Sequence, residues 1–260
     1  MVSVLDSIVA GVLEEQKLRQ LSSAEIDERI ASIGKVRDPL ESLQKNTFSI
    51  ISEVKRSSPS KGELASIADP AALAAEYESG GASVISVLTE NRRFGGTLQD
   101  FTAVRDRVST PMLRKDFIVN EYLVRESRAF GADLLLLIVA ALEGEKFAEL
   151  YALGNELGMR VLVEIHNENE LERALEVSPE IVGVNARNLK TLEIDLESFS
   201  RLIPQIPSNI YRVAESGIST VEDVKIAHTA GADAILVGES LVKSGTPSKT
   251  IAEFLSVGKV

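Results

Sequence analysis

The sequence predicts an α/β protein folded as a single (βα)8 barrel, the TIM-barrel class, with a helical extension before the barrel. Three observations support this prediction. Apolar runs rich in Val, Ile and Leu recur from residue 48 onward, and helix-like stretches that end at glycine separate them. The runs recur with a nearly fixed period. Eight of them fit that period, and eight parallel strands are what such a barrel needs.

Three copies of the repeat show the period most clearly. They read Gly-Gly-Ala-Ser-Val-Ile-Ser-Val-Leu at 80–88, Phe-Gly-Ala-Asp-Leu-Leu-Leu-Leu-Ile at 130–138 and Ala-Gly-Ala-Asp-Ala-Ile-Leu-Val-Gly at 230–238. Their glycines at 81, 131 and 231 stand 50 and 100 residues apart. These separations equal two and four units of about 25 residues, which indicates repeated strand–helix units.

Filling the gaps gives eight candidate strands, near residues 48–54, 83–88, 111–115, 134–138, 160–164, 181–185, 211–215 and 234–238. Their continuous apolar character is typical of parallel strands buried on both faces. A doubly wound open sheet is the alternative. It is less favoured because eight regular units exceed what that fold usually needs, and because no Gly-x-Gly-x-x-Gly motif follows the first strand.

Residues 1–47 precede the predicted barrel domain of residues 48–260. A first helix is predicted from apolar residues at helical spacing, and Ser22 or Ser23 can cap a second helix that ends near Gly34. We expect this extension to pack on the barrel, and a partner-binding arm is the alternative. The apolar residues of the first helix are Val4, Leu5, Ile8, Val9, Val12 and Leu13.

Composition excludes several classes of function. The 28 basic residues are outnumbered by 39 acidic ones, and the net charge of −11 opposes nucleic-acid binding. The absence of cysteine excludes disulfides, thiolate metal sites and a cysteine nucleophile. The longest apolar run, 134–142, is well short of the roughly 20 residues of a membrane helix. We therefore expect a cytoplasmic protein that does not span a membrane. His166 and His228 lack partners at metal-ligand spacing, so no metal site is expected.

Polar residues gather at the predicted carboxyl ends of the strands, where barrel enzymes place catalysis. In the first strand, alternation sends Ile51, Glu53 and Lys55 to one side. Ion pairs that merely cap the barrel are the alternative for any single charge. Their shared position favours a catalytic site, because ionisable groups in a cleft perturb one another's pKa. The same parity places Lys115, Glu164, Asn185 and Arg187 at the ends of the third, fifth and sixth strands.

Two glycine turns predict a phosphate site. Glu215-Ser216-Gly217 follows the seventh strand and Gly238-Glu239-Ser240 follows the eighth. Small residues let backbone N–H groups approach a phosphate dianion, and a following helix adds the positive end of its dipole. The Glu239 side chain would have to point away from that dianion.

The segment Glu53-Val54-Lys55-Arg56-Ser57-Ser58-Pro59-Ser60-Lys61-Gly62 resembles the signature of indole-3-glycerol-phosphate synthases. Six further segments resemble the same family, so the resemblance covers residues 48 to about 245. The main departures are Glu239 and the stretch Asn91-Arg92-Arg93. The further segments are Ser86-Val87-Leu88-Thr89-Glu90, Phe94 with Gly96-Thr97, Leu113-Arg114-Lys115-Asp116-Phe117, Val163-Glu164-Ile165-His166, Gly183-Val184-Asn185-Ala186-Arg187-Asn188-Leu189 and Ala214-Glu215-Ser216-Gly217-Ile218.

The resemblance implies a lyase that closes an indole ring from 1-(o-carboxyphenylamino)-1-deoxyribulose 5-phosphate, with loss of carbon dioxide and water, and without a cofactor. Lys115 would be the acid for ring closure, and Lys55 would protonate the departing hydroxyl with Glu53 as its paired base. Glu164 would share the base role or stabilise positive charge on the nitrogen. A lysine near other cations and apolar walls has a lowered pKa, which we expect here.

The resemblance also implies the binding residues. Asn185 and Arg187 would orient hydroxyls and carboxylate, with Ser216 beside them, and Ser58, Gly217 and Gly238 would hold the phosphate. Glu215 and Glu239 belong to the turns that contact the substrate. The apolar slot for the aromatic ring comprises Pro59, Phe94, Phe117, Leu136 and Leu189, although core packing would equally explain Leu136.

Two other functions remain open at this point. A sugar-phosphate isomerase on the same barrel, such as phosphoribosylanthranilate isomerase, also needs an acid, a base and a phosphate site. A phosphate-binding barrel without catalysis is the second alternative. Two lysines and two glutamates at three strand ends exceed what a single proton shuttle needs, and they favour the synthase. Association with other tryptophan-pathway enzymes is an expectation that the residues do not specify.

Overall fold

A computed structural model describes residues 3–58, 62–63, 67–189 and 191–259. Eight parallel strands form a closed barrel in which each strand pairs with its neighbours along the chain. The first strand pairs with the second and also with the eighth, so the sheet has no edge and the open-sheet alternative is excluded. The strands are β1 (Ser49–Val54), β2 (Val84–Leu88), β3 (Met112–Lys115), β4 (Leu134–Ile138), β5 (Arg160–Ile165), β6 (Ile181–Asn185), β7 (Tyr211–Glu215) and β8 (Ala234–Val237).

Helices surround the barrel and alternate with its strands. A short antiparallel pair, Ser57–Ser58 with Gly62–Glu63, follows β1. The helices of the barrel are α4 (Pro70–Ser79), α5 (Leu98–Arg107), α6 (Glu121–Ala129), α7 (Lys146–Glu156), α8 (Glu168–Leu175), α9 (Glu197–Leu202), α10 (Val221–Thr229), α11 (Glu239–Lys243) and α12 (Pro247–Leu255). Short 3-10 turns cover Val139–Ala141, Ile203–Gln205 and Ser256–Lys259.

The repeated glycines lie where helices turn back into strands. Gly81, Gly131 and Gly231 have φ angles of +98°, +92° and +99° and follow the ends of α4, α6 and α10. Residues with a Cβ atom rarely adopt this left-handed conformation. The glycine period in the sequence therefore marks the C′ positions of these helices, as predicted.

The barrel interior is a packed apolar core. All five residues of β4 are buried, because the inner ones fill the barrel and the outer ones pack under helices. Burial on both faces of the strand thus explains the continuous apolar run in the sequence, as expected. Within the described part of the chain, no helix is both long and apolar enough to cross a bilayer.

The N-terminal extension consists of α1 (Val4–Arg19), α2 (Ser23–Ser32) and α3 (Pro39–Gln44). Leu5, Ile8 and Val12 of α1 are buried against the main core. The Ser22 hydroxyl caps α2, as one of the two predicted alternatives required. The division of the chain into an extension and a barrel domain at residue 47 stays a prediction.

Buried charges tie α1 to the barrel. Arg19 of α1 makes an ion pair with Glu126 of α6 at 2.9 Å, and the same Glu126 oxygen lies 2.9 Å from Arg114 of β3. Arg114 also donates to Asp116 at 3.1 Å, and the Asp116 carboxylate accepts the Phe117 N–H. The chain of charges therefore runs from the extension to the backbone that flanks Lys115.

Candidate active site

A cavity of about 980 Å³, counted out to its open mouth, lies at the carboxyl ends of the strands. All eight strands, or the residues directly after them, contribute to its lining. Fifteen residues proposed from the sequence line it together, namely Glu53, Lys55, Phe94, Lys115, Phe117, Leu136, Glu164, Asn185, Arg187, Leu189, Glu215, Ser216, Gly217, Gly238 and Glu239. Pro59 and the side chain of Ser58 lie outside what the structure describes.

The centre of the cavity holds one ammonium between two carboxylates. Lys115 at the end of β3 donates to Glu164 Oε2 at 3.0 Å, and its Nζ lies 3.7 Å from Glu215 Oε2. Both glutamates are buried, whereas Lys115 keeps partial access to the cavity. Strand alternation aims all three side chains inward, so the fold rather than a local motif brings them together.

The electrostatics of Lys115 differ from the prediction. Burial alone would lower its pKa, but the facing carboxylates of Glu164, Glu215 and Glu53 raise the pKa above its ordinary value. The expected lowering of the lysine pKa is therefore wrong for Lys115. Carboxylates, and not other cations, are the close neighbours of its ammonium, and they favour the charged form.

The two central glutamates have opposite pKa shifts. Burial would raise the pKa of Glu164, but the charges of Lys115 and His166 hold that pKa below its usual range. For Glu215, burial and then the charge of Glu164 raise the pKa to about 8. Like charges in a shared buried site cannot both ionise freely, so one carboxyl group is charged and the other retains its proton at neutral pH.

Glu215 has a different position from the one its sequence neighbours suggested. It was grouped with the phosphate-binding turn, but it is the last residue of β7 and points into the barrel. Among the described residues, no donor forms a hydrogen bond to either of its carboxylate oxygens. Gly183 of β6 makes room for it, since a Cβ there would lie 2.0 Å from Glu215 Oε1. We therefore assign Glu215 to the centre of the cavity and remove it from the phosphate turn.

The end of β1 supplies a second charged pair. Lys55 Nζ lies 2.8 Å from Glu53 Oε1. Glu53 is buried while Lys55 reaches further towards the mouth. A Cβ at Gly238 would lie 2.8 Å from the same Glu53 oxygen, so Gly238 leaves space for this carboxylate. The sequence predicts that Gly238 holds a phosphate, and the space needed by Glu53 is a second reason for glycine at this position.

Asn185 and Arg187 stand at the end of β6. The Asn185 side chain accepts the Arg187 N–H at 2.9 Å, which fixes the amide at the cavity wall. The Arg187 guanidinium donates to the Leu192 carbonyl oxygen at 3.0 Å. A pairing of Arg187 with Ile194 steadies the loop that carries Leu189. This loop forms one side of the cavity mouth.

The turn after β7 has an unusual backbone. Ser216 and Gly217 have successive φ angles of +68° and +79°. Gly217 has no side chain, so the backbone of this turn is open to close approach by a ligand from the cavity. Ser216 carries a Cβ atom, so this conformation stores strain of roughly 1 kcal/mol, as is common at functional sites.

The second glycine turn leads from β8 into α11. Glu239 lies at the start of this helix, and its Oε1 atom pairs with Lys243 Nζ at 2.9 Å. The ion pair draws the Glu239 carboxylate towards its own helix. This is the orientation that the predicted phosphate site requires of the Glu239 side chain.

Apolar residues form the remaining wall of the cavity. The rings of Phe94 and Phe117 lie 6.2 Å apart between centroids. Leu136 is buried at the floor, so core packing and contact with a ligand are compatible at this position. Buried Glu90 accepts the Phe94 N–H at 3.1 Å and thereby fixes the loop that carries the ring.

Sequence reasoning missed His166, which contacts Glu164, and eight of the lining residues, namely Leu88, Asp116, Ile138, Ile194, Ile218, Ser219, Leu236 and Val237. Ile194 lines the mouth through a loop whose path no strand pattern reveals. His166 was set aside as a loop residue, yet its Nε2 lies 3.3 Å from Glu164 Oε1. Its position two residues after Glu164 was the available signal. Among the described residues, no group of three or more His, Asp and Glu side chains could hold a metal ion.

Comparisons with known proteins agree on one family. A family model described as indole-3-glycerol phosphate synthase matches residues 5–254. The curated indole-3-glycerol phosphate synthase of Paenarthrobacter aurescens strain TC1 is 53% identical over 98% of this chain and 97% of its own length. That of Streptomyces griseus is 52% identical over 98% and 96%.

A solved structure supports the fold alone. The N-acetylmannosamine-6-phosphate 2-epimerase of Clostridium perfringens superposes with a TM-score of 0.61 at 16% identity. It covers 81% of this chain and 95% of its own.

Proposed function

Because the chain belongs to the indole-3-glycerol phosphate synthase family, we propose that the charged groups at the mouth of its barrel perform the family's ring closure, with Lys115 as the first proton donor. The enzyme is a carboxy-lyase of tryptophan biosynthesis that acts on a small phosphorylated substrate. It converts 1-(o-carboxyphenylamino)-1-deoxyribulose 5-phosphate into indole-3-glycerol phosphate, carbon dioxide and water.

The reaction defines what the cavity has to supply. The ring carbon that bears the carboxylate attacks the ribulose ketone, and the ketone oxygen takes up a proton. Carbon dioxide then leaves, and a second proton turns the new hydroxyl into water. A base removes one proton as the ring becomes aromatic. The oxygen gains two protons and the ring loses one, so each turnover takes one proton from water.

Lys115 is the donor for ring closure. Its ammonium is held between Glu164 and Glu215, and it remains partly accessible from the cavity. The raised pKa of Lys115 ensures that the side chain carries its proton before the substrate binds. A group that forms its decisive interaction only in the transition state raises kcat more than it lowers KM.

Glu164 is the base for aromatisation. Its pKa lies below the usual range, so it is ionised throughout the neutral region. The 3.0 Å contact with Lys115 lets the proton that Glu164 removes return to the lysine that donated first. Glu215, with its pKa raised to about 8, keeps a proton at neutral pH and can donate it to a substrate hydroxyl.

Lys55 and Glu53 serve the dehydration step. Their contact at 2.8 Å makes an acid and a base available on the same side of the cavity. Lys55 would protonate the leaving hydroxyl, and Glu53 would hold the ammonium in place. Lys55 is more exposed than Glu53, so it is the better placed of the two to regain the consumed proton from water.

The binding groups divide the substrate between two ends of the cavity. The turn at Ser216 and Gly217, with Gly238 and Ser58, would hold the phosphate through backbone N–H groups. Asn185 and Arg187 would orient the hydroxyls and the carboxylate. The aromatic ring would lie against Phe94 and Phe117, with Pro59, Leu136 and Leu189 completing the slot.

The observation that carries these roles is the Lys115 ammonium between two buried carboxylates at the centre of the cavity. The pure protein should form indole-3-glycerol phosphate in the presence of a chelator, seen as indole absorbance. Lys115→Ala should lower kcat by about 1000-fold while KM changes little. Lys225→Ala, which removes an exposed lysine of α10, is the matched control and should keep parent activity. Undiminished kcat in Lys115→Ala would exclude it as the acid.

Two broader expectations remain proposals. A phosphate monoester does not cross a membrane unaided, so an enzyme that consumes one is expected where the ester is made, which we propose to be the cytoplasm. Association with other tryptophan-pathway enzymes is also a proposal. Gel filtration with those enzymes, together with cell fractionation, would test both.

A further inference from the structure

His166 is a buried, charged neighbour of the cavity that none of the catalytic roles above employs. It follows the last residue of β5 and lies two residues beyond Glu164. Its side chain is only 11% exposed, and it does not line the cavity itself. The burial of an ionisable ring against a proposed base has to be explained either by a structural partner or by a role in the reaction.

The two ring nitrogens face two different carboxylates. Nε2 lies 3.3 Å from Glu164 Oε1, and Nδ1 lies 2.9 Å from Glu170 Oε2. The Nε2 contact is an ion pair, since no aligned hydrogen-bond partner for this atom exists among the described residues. The ring therefore bridges the catalytic strand and the first turn of α8.

Glu170 is itself held in place. Its Oε2 atom accepts the His166 backbone N–H at 2.8 Å, and its Oε1 atom accepts the Asn167 side chain at 2.6 Å. Asn167 caps α8 by accepting the Glu170 N–H. Two hydrogen bonds thus hold the carboxylate that orients the ring, and a third fixes the Glu170 backbone at the start of α8.

We propose that His166 is a further positioning residue for this reaction, whose imidazolium, fixed by Glu170, keeps Glu164 ionised and aimed at Lys115 throughout the turnover. The inference rests on the role of Glu164 as the base in the proposed function.

The need for a second cation follows from the order of the proton transfers. Lys115 gives up its proton during ring closure and becomes a neutral amine. Glu164 would then be a buried carboxylate beside Glu215 without a cationic partner, and it would capture a proton too early. His166 does not contact the cavity, so its charge persists until Glu164 has removed the ring proton.

The charged groups that face the ring set its titration. Glu164 on its own strand and Glu170 of α8 contact it, and Lys115 of β3 stands behind Glu164. Burial lowers the pKa of His166, but Glu164 and Glu170 outweigh it and raise this pKa to about 9. The ring is therefore charged at neutral pH and loses its charge as pH rises through about 9.

Two substitutions separate the two nitrogens. In His166→Asn, the amide reaches the position of Nδ1 and can still contact Glu170, but Glu164 loses its partner. In His166→Gln, the amide reaches the position of Nε2 and offers Glu164 a neutral donor. We expect kcat to fall by about tenfold in His166→Asn and less in His166→Gln, with KM within about twofold of the parent.

The pH profile gives a readout that a merely structural role would not move. The loss of the Glu215 proton near pH 8 should affect kcat of the parent and of both His166 variants alike. The parent should show a further decline of kcat above pH 9, and this further decline should be absent from both His166 variants. Glu170→Gln removes one of the charges that raise the His166 pKa, so it should move the decline to lower pH. His228→Asn, at a ring that packs on Phe48 away from the cavity, is the matched control and should keep the parent profile.

The activity of Glu164→Gln tests the proposed base separately from the proposed role of His166. If Glu164→Gln is inactive and His166→Asn keeps parent kcat from pH 6 to 10, the positioning role is refuted and the proposed function stands. If Glu164→Gln keeps parent kcat, the base assignment fails and the inference fails with it. Thermal unfolding of each variant confirms that activity is compared between folded proteins, and Glu170→Gln provides the test if His166→Asn does not fold.

Discussion

Replacement of Gly183 by alanine tests whether the position of the Glu215 carboxylate matters for catalysis. The backbone of Gly183 lies in β6, so alanine is allowed there. The added Cβ would lie 2.0 Å from Glu215 Oε1 and 3.1 Å from its Cδ, whereas ordinary contact begins at 3.4 Å. The carboxylate oxygen therefore has to withdraw by about 1.4 Å, the difference between the two distances.

The size of the effect follows from that displacement. Overpacking of a buried site costs about 1–3 kcal/mol of unfolding free energy. For a chain of this length, such a cost lowers Tm by roughly 2–12 °C. A shift of about 1 Å in a catalytic group lowers the rate by about 100-fold, so kcat should fall to that extent. The Lys115–Glu215 distance of 3.7 Å cannot survive the movement unless Lys115 follows it.

The assay compares kcat, KM and Tm of Gly183→Ala with those of the parent and of Gly11→Ala. Gly11 lies inside α1, and its added Cβ would contact only the flexible side chain of Arg92 at 3.2 Å. Alanine favours a helix interior by about 1 kcal/mol, so this control should keep activity and gain stability. Parent-like kcat in Gly183→Ala would refute the view that the fit of Glu215 against this strand contributes to turnover.

Three further predictions address pH, the proposed phosphate site at Gly217, and Ser58. In the parent, the native pKa of Glu215, about 8, lies above the unfolded value of 4.5, so the free energy of unfolding falls as pH rises from 5 to 9. Glu215→Gln should make this fall smaller. Urea titrations at several pH values measure it, and an equal dependence of the free energy of unfolding on pH in parent and variant would contradict the prediction. Gly217→Ala should raise KM about tenfold or more and lower Tm, because its φ of +79° disfavours a side chain and its Cβ would lie 2.6 Å from Ile194. An unchanged KM would argue against phosphate binding at this turn. Ser58→Ala should act mainly on KM, and a selective loss of kcat would contradict a phosphate-anchoring role.

The strands could be predicted closely because their signal is local. Each needs a continuous apolar run, and the glycines at 81, 131 and 231 mark the helix ends that precede three of them. Alternation within a strand also identified Glu53 and Lys55 as neighbours. A property that depends on a few consecutive residues can therefore be predicted from the sequence.

The errors concern properties that depend on distances between strands. The direction of the Lys115 pKa shift was wrong because the count of carboxylates within a few ångströms is not visible along the chain. Glu215 was assigned by its neighbour Gly217, although the alternation that placed Glu164 would also have turned Glu215 inward. His166 lies one residue beyond the regular strand, where alternation no longer predicts direction.

The charge chain from Arg19 to Asp116 means that the first helix is not an appendage that a shortened protein could lose without consequence. Without Arg19, the buried Glu126 carboxylate would keep Arg114 as a partner but would lose one of its two cationic neighbours. Loss of one partner from a buried ion pair is destabilising. Any rearrangement of Arg114 to compensate would pull on Asp116, whose backbone neighbour is Lys115. A continuous series of ion pairs and hydrogen bonds thus links the first helix to the backbone beside Lys115, the proposed proton donor, about a hundred residues away in sequence.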